Sequence, residues 1–269
     1  MDRAVQRGDS ANHRDLMAAD LERRFGGVAR LYGDAGAKRL GEASVCVVGI
    51  GGVGSWAAEA LARSGIGALT LIDLDMVAES NTNRQIHALG DEYGKAKVDV
   101  MAERVAAIHP ACRLVTIEDF VTPENTAELL LGFDFVIDAI DQVRTKAAMI
   151  AHCRRNKQPI ITAGAAGGQF DPTRIAIADL ARTEQDPLLS KVRSRLRREY
   201  GFSRKPQEKF GVAAVFSDEP LQYPKAEAAC EPIAAPSGLN CAGFGSSVCV
   251  TAAFGLAAAA HVLREIAAG

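Results

Sequence analysis

The feature that most constrains the fold is the run of residues 49–54, in which glycines follow the spacing GxGxxG. It separates an apolar β-branched run at 44–49 from residues 55–63, whose apolar side chains recur at helical spacing. A second apolar strand follows at 68–73. Strand, glycine turn, helix and strand form a βαβ unit, so the sequence predicts parallel strands joined by a right-handed crossover.

Strand-like and helical segments continue to alternate, which indicates that further βα units follow the first. The sequence predicts helices at 95–108 and 142–156 and strands at 113–117, 133–140 and 159–163. After residue 168 the pattern changes. It then predicts a strand at 173–179, a basic helix at about 186–200, a strand at 212–217, a proline-rich connection at about 220–240 and a C-terminal helix at about 242–267.

These elements predict an α/β fold, a Rossmann-like doubly wound and mostly parallel sheet with an antiparallel C-terminal extension. We expect one domain over residues 24–269 after a flexible N-terminal arm of residues 1–23. With 48% hydrophobic and 24% charged residues, the chain is not mostly disordered. Residues 242–260 carry no charge but are rich in alanine and glycine. We therefore expect a buried helix in a cytoplasmic protein, with membrane association as the lesser alternative.

The glycine run has the properties of a phosphate-binding loop. Glycines let backbone amides approach a phosphate, and the helix N-terminus that follows favours negative charge. The candidate loop residues are Gly49, Gly51, Gly52 and Gly54. Asp73 ends the second strand, where a carboxylate can accept hydrogen bonds from a ribose. This pattern predicts a nucleotide site but does not by itself separate NAD, FAD and ATP.

Charged and polar residues after the strands favour ATP. They are Asp75, Asn81, Arg84, Lys97 and Asp141. Arg84 and Lys97 would place two cations over a polyphosphate, and Asp75 or Asp141 could hold Mg²⁺. A hydride-transfer enzyme needs no such array. Adenylation uses all of it, because an acceptor carboxylate attacks the α-phosphate while cations stabilise the developing charge.

Together these motifs resemble the ubiquitin-activating-enzyme-like superfamily, which includes the adenylating enzymes of molybdopterin and thiamine synthesis. The resemblance rests on the glycine run, Asp73-Leu-Asp75, Asn81-Thr-Asn-Arg84, Lys97 and Asp138-Ala-Ile-Asp141. Further phrases are similar to one branch, the tRNA threonylcarbamoyladenosine dehydratases. They are Arg24-Phe-Gly-Gly27, Arg30-Leu-Tyr-Gly33, Thr82-Asn-Arg-Gln-Ile-His87, Ala151-His-Cys-Arg-Arg-Asn156, Gly167-Gly-Gln-Phe-Asp-Pro172 and Gln185-Asp-Pro187.

The resemblance implies a role for each candidate residue. Asp73 would bind the ribose, Asn81, Arg84 and Lys97 would bind and polarise the triphosphate, and Asp141 would hold Mg²⁺. The substrate implied is tRNA bearing threonylcarbamoyladenosine, whose threonyl carboxylate ATP would activate as an acyl-adenylate. An intramolecular nucleophile would then close a ring with net loss of water. The resemblance also implies a homodimer.

Three departures from related branches matter. The sulfur-carrier branches bind zinc through two CxxC pairs, and this sequence has no CxxC, so we expect no zinc. Those branches also carry an N-terminal arginine that reaches into the partner's site, for which Arg24 or Arg30 would have to substitute. Ubiquitin-like activators use a loop cysteine, and Cys241, then Cys230, is the nearest candidate here. A buried free cysteine is the competing interpretation.

A basic stretch over residues 191–209 bears on the partner, because it holds eight cations against two glutamates while the whole chain has a net charge of -2. It predicts either a tRNA phosphate contact or a solvated helix face. The candidate contacts are Arg193, Arg197, Arg198, Arg204 and Lys205. Two alternative functions stay open: adenylation of a ubiquitin-like sulfur-carrier protein, and a sulfur-relay scaffold that works with a cysteine desulfurase through a thiol such as that of Cys241.

Overall fold

The computed structural model describes residues 19–223 and 244–269. The strands are β1 (Ser44–Val48), β2 (Ala68–Ile72), β3 (Arg113–Ile117), β4 (Phe135–Asp138), β5 (Ile160–Ala163), β6 (Ile175–Asp179) and β7 (Ala213–Ser217). The helices are α1 (Leu21–Glu42), α2 (Gly54–Arg63), α3 (Lys97–Ile108), α4 (Thr126–Leu129), α5 (Val143–Arg155), α6 (Pro187–Glu199) and α7 (Val248–Ala268).

The strands form one seven-stranded sheet in the order β3-β2-β1-β4-β5-β7-β6. All neighbouring pairs are parallel except β6 and β7, which are antiparallel. The predicted doubly wound sheet with an antiparallel C-terminal extension is therefore confirmed. Strand order reverses at β1, which lies between β2 and β4, and ligands of such sheets bind outside the carboxyl ends of the strands at this point.

Helices cover both faces of the sheet, which explains why the strand sequences are apolar without a polar alternation. In β1, Val45 and Val47 pack into the core formed with α2, α3 and α7. Cys46 and Val48 point the opposite way, into the core formed with α5 and α6. All four side chains are buried. Successive side chains thus pack into separate cores on opposite faces of the sheet, as the two-residue period of a strand requires.

Glycines permit the tight turn from β1 into α2. Gly49 has φ +89°, a left-handed conformation that glycine adopts without a steric penalty. A Cβ on Gly54 would collide with the carbonyl oxygen of Gly49, so only glycine lets the first turn of α2 close onto the loop. The GxGxxG spacing thus fixes the position of the α2 N-terminus above the end of β1.

The apolar C-terminal helix α7 packs against α2. A Cβ on Gly255 would collide with the carbonyl oxygen of Val53, so the two helix backbones are in close contact there. α7 is long and apolar enough to cross a membrane, and 44% of its most apolar window is buried inside the molecule. It begins at Val248 rather than at the predicted residue 242 or so, because the Ser247 side chain caps the first turn.

The N-terminal boundary also differs from the prediction. Residues 21–23, assigned to a flexible arm, belong to α1, whose first turn is capped by Asp20. No helical pattern is visible here because five glycines interrupt residues 21–42, and Gly33 breaks the helix with φ +74°. Most other predicted elements lie within two residues of their predicted bounds, while the proline-rich connection lies outside the described residues beyond Tyr223.

Candidate active site

A cavity of about 460 Å³ opens at the carboxyl ends of β1, β2 and β4, where the strand order predicts a ligand site. Nearly all the predicted site residues line it: Gly49, Gly51, Gly52, Asp73, Asp75, Asn81, Arg84, Lys97 and Asp141. Gly54 does not line the cavity, since it lies beneath the loop against Gly49. The structure therefore gathers residues from three separate parts of the chain around one space.

Asp73 connects the glycine loop to the end of β2. One carboxylate oxygen accepts a hydrogen bond from the Ile50 amide at 2.6 Å, and the other accepts one from the Asp75 amide at 2.8 Å. Burial raises the pKa of Asp73, and the Lys97 ammonium and these two amides oppose that rise. Each oxygen keeps a lone pair for a further donor, such as a ribose hydroxyl.

Lys97 and Asp75 form an ion pair at the cavity wall, with 2.7 Å between the Lys97 Nζ and the Asp75 Oδ2. Lys97 is the first residue of α3, and its side chain is only 7% exposed. Its amide also donates to the Asp75 carbonyl oxygen at 3.0 Å. The ammonium is thus fixed in position before any ligand arrives.

Arg84 is held differently, by neutral acceptors alone. Its Nη1 donates to the Ser80 carbonyl oxygen at 2.7 Å and to the Asn83 Oδ1 at 2.8 Å. No carboxylate lies within 4.0 Å of its guanidinium among the described residues. Burial lowers the pKa of Arg84. The turn that carries it is held by Asn81, whose Oδ1 accepts from the Ala78 amide at 3.0 Å. Arg84 therefore presents an oriented positive charge that no described carboxylate neutralises and that is available to a ligand.

Asp141 follows β4 and lines the cavity. Its carboxylate makes no hydrogen bond or ion pair with any residue that the structure describes. Within residues 19–223 and 244–269, no group of three acidic, histidine or cysteine side chains is arranged to hold a metal ion. Asp141 therefore offers a single carboxylate toward the cavity.

Comparison with known proteins agrees with this geometry. The chain matches the ThiF family over residues 25–267. A tRNA threonylcarbamoyladenosine dehydratase of Escherichia coli strain K12 is 54% identical over 251 residues, which cover 91% of this chain and 94% of the relative. One from Bacillus subtilis strain 168 is 42% identical over 188 residues, covering 70% and 71%. The chain belongs to the ThiF family, in its branch of tRNA threonylcarbamoyladenosine dehydratases.

Solved structures of this branch have the same fold. A crystal structure of the E. coli dehydratase, TcdA, in complex with ATP superposes with a TM-score of 0.84 at 52% identity, covering 94% of this chain and 98% of that one. A second crystal structure of the same enzyme contains AMP and has the same TM-score. The resemblance inferred from the motifs is thereby confirmed, and so is the expected fold.

One part of the site that the sequence did not reveal is an ion pair buried beneath it. Lys146 in α5 and Asp138 at the end of β4 are both 0% exposed, with 2.8 Å between Nζ and Oδ2. Thr162 in β5 accepts from the Lys146 Nζ at 2.9 Å and donates to the same Asp138 oxygen at 2.6 Å. The three side chains connect β4, β5 and α5 directly under the loops that line the cavity.

Asp186 extends this support to α6. It caps the helix by accepting from the Leu189 amide at 2.8 Å, and its other oxygen accepts from the Ala165 amide at 2.8 Å. Burial raises the pKa of Asp186, while the amides and the charge of Lys146 lower it. A Cβ on Gly164 would collide with this carboxylate, so a glycine is required at the start of that cavity wall.

Several further residues line the cavity without a sequence signal that could have identified them. They are Phe120, Gln142, Phe244, Ser246 and Thr251. Three of these residues lie within 244–251, nearly 200 positions after the glycine loop in the chain. The packing of α7 on α2 brings them to the cavity.

The remaining candidates are two cysteines and an N-terminal arginine. Cys241 and Cys230 are outside the described residues. Arg24 does not reach the cavity, since it donates to the carbonyl oxygens of Ala107 and Ile108 at the end of α3. Among the described thiols, burial raises the pKa of Cys153 to about 12 and that of Cys112 to about 11, which leaves both protonated at neutral pH.

The basic helix α6 begins at the cavity, where Pro187 and Leu188 line it, and runs away from it. At 1.5 Å per residue, Arg197 lies about 15 Å further along. Two of the candidate tRNA contacts are used internally: Arg193 donates to the Thr183 hydroxyl, and Arg197 lies 5.2 Å from the centre of the Phe210 ring.

The other candidates are more exposed. Arg198 pairs with Glu199 at 2.8 Å and Lys205 with Glu208 at 3.0 Å. Arg204 is exposed and makes no ion pair with a described residue. Lys191 and Lys209, which belong to the basic stretch but are not among the five candidates, are likewise exposed and make no ion pair with a described residue. The exposed cations therefore differ in part from those predicted.

The buried imidazole of His87 should make the free energy of unfolding depend on pH. It is 2% exposed, and neither ring nitrogen has a partner among the described residues. Burial, then repulsion by Lys97 and Arg104, lowers its pKa from about 6.5 to about 4. The unfolded chain therefore takes up the proton first, so the free energy of unfolding falls as the pH drops from about 6.5 towards 4, by about 3 kcal/mol in total. Urea unfolding at pH 7.5 and 4.5 measures the loss. His87→Gln should lose less than wild type over this interval, and an equal loss in both proteins would contradict the assignment.

Proposed function

We propose that this protein uses ATP to dehydrate threonylcarbamoyladenosine in tRNA to its cyclic form. The observation that carries the proposal is Arg84, an oriented cation without a carboxylate partner in the described structure, facing a cavity that a glycine loop and Lys97 also line. The high identity to dehydratases of this branch, one of them crystallised with ATP, supports the same activity.

In this proposal the cavity binds ATP along its length. The phosphates lie over the glycine loop and the N-terminus of α2, where backbone amides and the helix dipole favour anions. Gly51 leaves open space above the loop, since a Cβ there would meet nothing within 4 Å. Asp73 accepts the ribose hydroxyls, and Asn81, Arg84 and Lys97 hold the triphosphate.

The reaction then has two steps. The threonyl carboxylate attacks the α-phosphorus, a new P–O bond forms, the bond to the β-phosphate breaks, and pyrophosphate leaves. Arg84 and Lys97 stabilise the charge that develops on the phosphate oxygens. An intramolecular nucleophile of the substrate then attacks the acyl carbon and loses its proton, and AMP leaves with the former carboxylate oxygen. The net change in the nucleoside is the loss of one water.

Asp141 is the residue we propose for Mg²⁺. Mg²⁺ is usually held by one or two carboxylates together with substrate phosphates and water, and Asp141 offers one carboxylate without a partner in the described structure. The ion, when bound, neutralises phosphate charge.

Nucleoside mass spectrometry tests the proposed reaction. Incubation of tRNA bearing threonylcarbamoyladenosine with the protein, ATP and Mg²⁺ should remove one water from that nucleoside. Arg84→Ala and Asp141→Ala should each slow this step by about 100-fold or more, as expected when a group that stabilises transition-state charge is removed. Arg113→Ala is the matched control, because Arg113 is exposed at the opposite edge of the sheet. If wild type leaves the nucleoside unchanged but releases pyrophosphate with a carrier protein ending in Gly-Gly, the sulfur-carrier alternative replaces this one.

We further propose that the tRNA backbone contacts the exposed cations of the basic stretch, chiefly Lys191, Arg204 and Lys209, together with the sequence candidates Arg198 and Lys205. Changing the first three to glutamate should raise the KM for tRNA by about tenfold and flatten its dependence on salt, because fewer phosphates are neutralised. ATP affinity should stay unchanged. Reversing the charge of Arg113, which is exposed away from this surface, should instead leave the KM for tRNA as in wild type. A triple variant with the wild-type salt dependence would exclude this surface.

A homodimer, present in the cytoplasm, completes the proposal. The outer side of α7 exposes Val248 and Leu256. α1 contacts α7 through Arg39, whose Nε donates to the Ala267 carbonyl oxygen at 3.1 Å, and exposes Leu31. Exposed apolar side chains on two adjoining helices are typical of a surface that a partner covers. Sedimentation equilibrium should give twice the chain mass of 28.5 kDa. A monomer mass at micromolar concentration would contradict the dimer.

A further inference from the structure

One corner of the cavity holds a buried hydroxyl that no described residue uses. Thr251, in the first turns of α7, lines the cavity and is 4% exposed. Its Oγ1 has no hydrogen-bond partner among the described residues. A buried polar group without a partner costs free energy, so such groups are rare in folded proteins and each calls for a reason.

The neighbours of Thr251 indicate what this hydroxyl is for. A Cβ on Gly52 would lie 3.2 Å from the Arg84 Cγ and 3.4 Å from the Thr251 Cβ. The glycine loop, the arginine turn and α7 therefore meet at one point. The aliphatic part of Arg84 passes this point, and its guanidinium, held by the Ser80 carbonyl oxygen and the Asn83 Oδ1, has no carboxylate partner among the described residues.

Two helix N-termini add to this positive potential. Thr251 lies beside Gly52, and Gly255, one turn later, lies beside Val53 and Ala57, so α7 runs parallel to α2. Both helices thus begin at the cavity and direct the positive ends of their dipoles into it. The residue preceding α2, Val53, offers no side chain to cap the helix, so no polar side chain screens this N-terminus from the cavity.

We infer that the Thr251 hydroxyl donates a hydrogen bond to an anionic oxygen of the bound ligand. The corner favours an anion, because two helix N-termini are directed into it and the unneutralised Arg84 lines the same cavity. Two ligand groups carry such an oxygen: the polyphosphate of ATP and the carboxylate that it activates. The inference rests on the proposed function for the identity of these ligands.

The test compares Thr251→Val, which keeps the shape and removes the hydroxyl, with Thr251→Ser, which keeps the hydroxyl. Because the hydroxyl lacks a described partner in the free protein, Thr251→Val should unfold at the same temperature as wild type or higher. Its affinity for ATP, or for tRNA as measured by KM, should nevertheless fall about tenfold or more, as for a lost hydrogen bond to a charged group. Thr251→Ser should restore most of that affinity.

Thr126→Val is the matched control. Thr126 is also buried, lies in α4 and does not line the cavity, but its hydroxyl donates to the Thr122 carbonyl oxygen at 2.5 Å. Removal of this hydroxyl, and with it the hydrogen bond, should lower the unfolding temperature of the free protein and leave the affinities for ATP and tRNA unchanged. The two threonines should therefore respond in opposite ways.

Calorimetric titration with ATP and with AMP, followed by the KM for tRNA, separates the two ligand groups. If Thr251→Val binds ATP more weakly but AMP as wild type does, the ligand oxygen that the hydroxyl contacts belongs to the polyphosphate. If both nucleotides bind as in wild type but the KM for tRNA rises, the contacted oxygen belongs to the substrate carboxylate. The inference is overturned if Thr251→Val matches wild type in all three measurements, or if it lowers the unfolding temperature as Thr126→Val does. Failure of wild type to bind ATP or dehydrate the nucleoside would instead reject the proposed function.

Discussion

The ion pair between Lys146 and Asp138 is the interaction on which the site depends most. Both side chains are fully buried, and removing one partner of such a pair costs about 3–5 kcal/mol because the other charge is left uncompensated. With Thr162 they join β4, β5 and α5. The loops that leave β4 and β5 form one wall of the cavity. The buried ion pair, which does not itself line the cavity, therefore positions Asp141 and the residues that follow β5.

The cavity combines two kinds of cation with different roles. Lys97 is already neutralised by Asp75 and contributes a fixed position, whereas Arg84 is oriented by neutral acceptors and keeps its charge for a ligand. The positive ends of the α2 and α7 dipoles are directed into the same space. Such an arrangement is organised before a ligand binds, which in the proposed reaction leaves little reorganisation for the step in which negative charge develops on the phosphates.

Much of the fold could be predicted because its signals are local. β1, β2 and the helices between later strands follow from apolar runs and helical spacing, and the glycine run indicated where the chain turns. α1 could not be predicted, because Gly26, Gly27, Gly33, Gly36 and Gly41 dilute its pattern and only contact with the rest of the molecule holds it. Of the predicted nucleotide-site glycines, Gly54 lies beneath the loop and does not line the cavity. The buried pair of Lys146 and the hydroxyl of Thr251 had no signal in the sequence.

The sequence by itself determined the chemistry of the nucleotide site: a glycine loop after a buried strand, an acid at the end of the next strand, and cations that follow within the same βα unit. Their spacing along the chain reflects the strand and helix periods, so their meeting at one edge of the sheet could be inferred. Only the tertiary structure decided which charges stay unneutralised, because ion pairs such as that of Lys97 with Asp75 depend on distances in space. It also decided that α7, distant in the chain, places Thr251 beside Arg84, since helix packing follows shape rather than sequence separation.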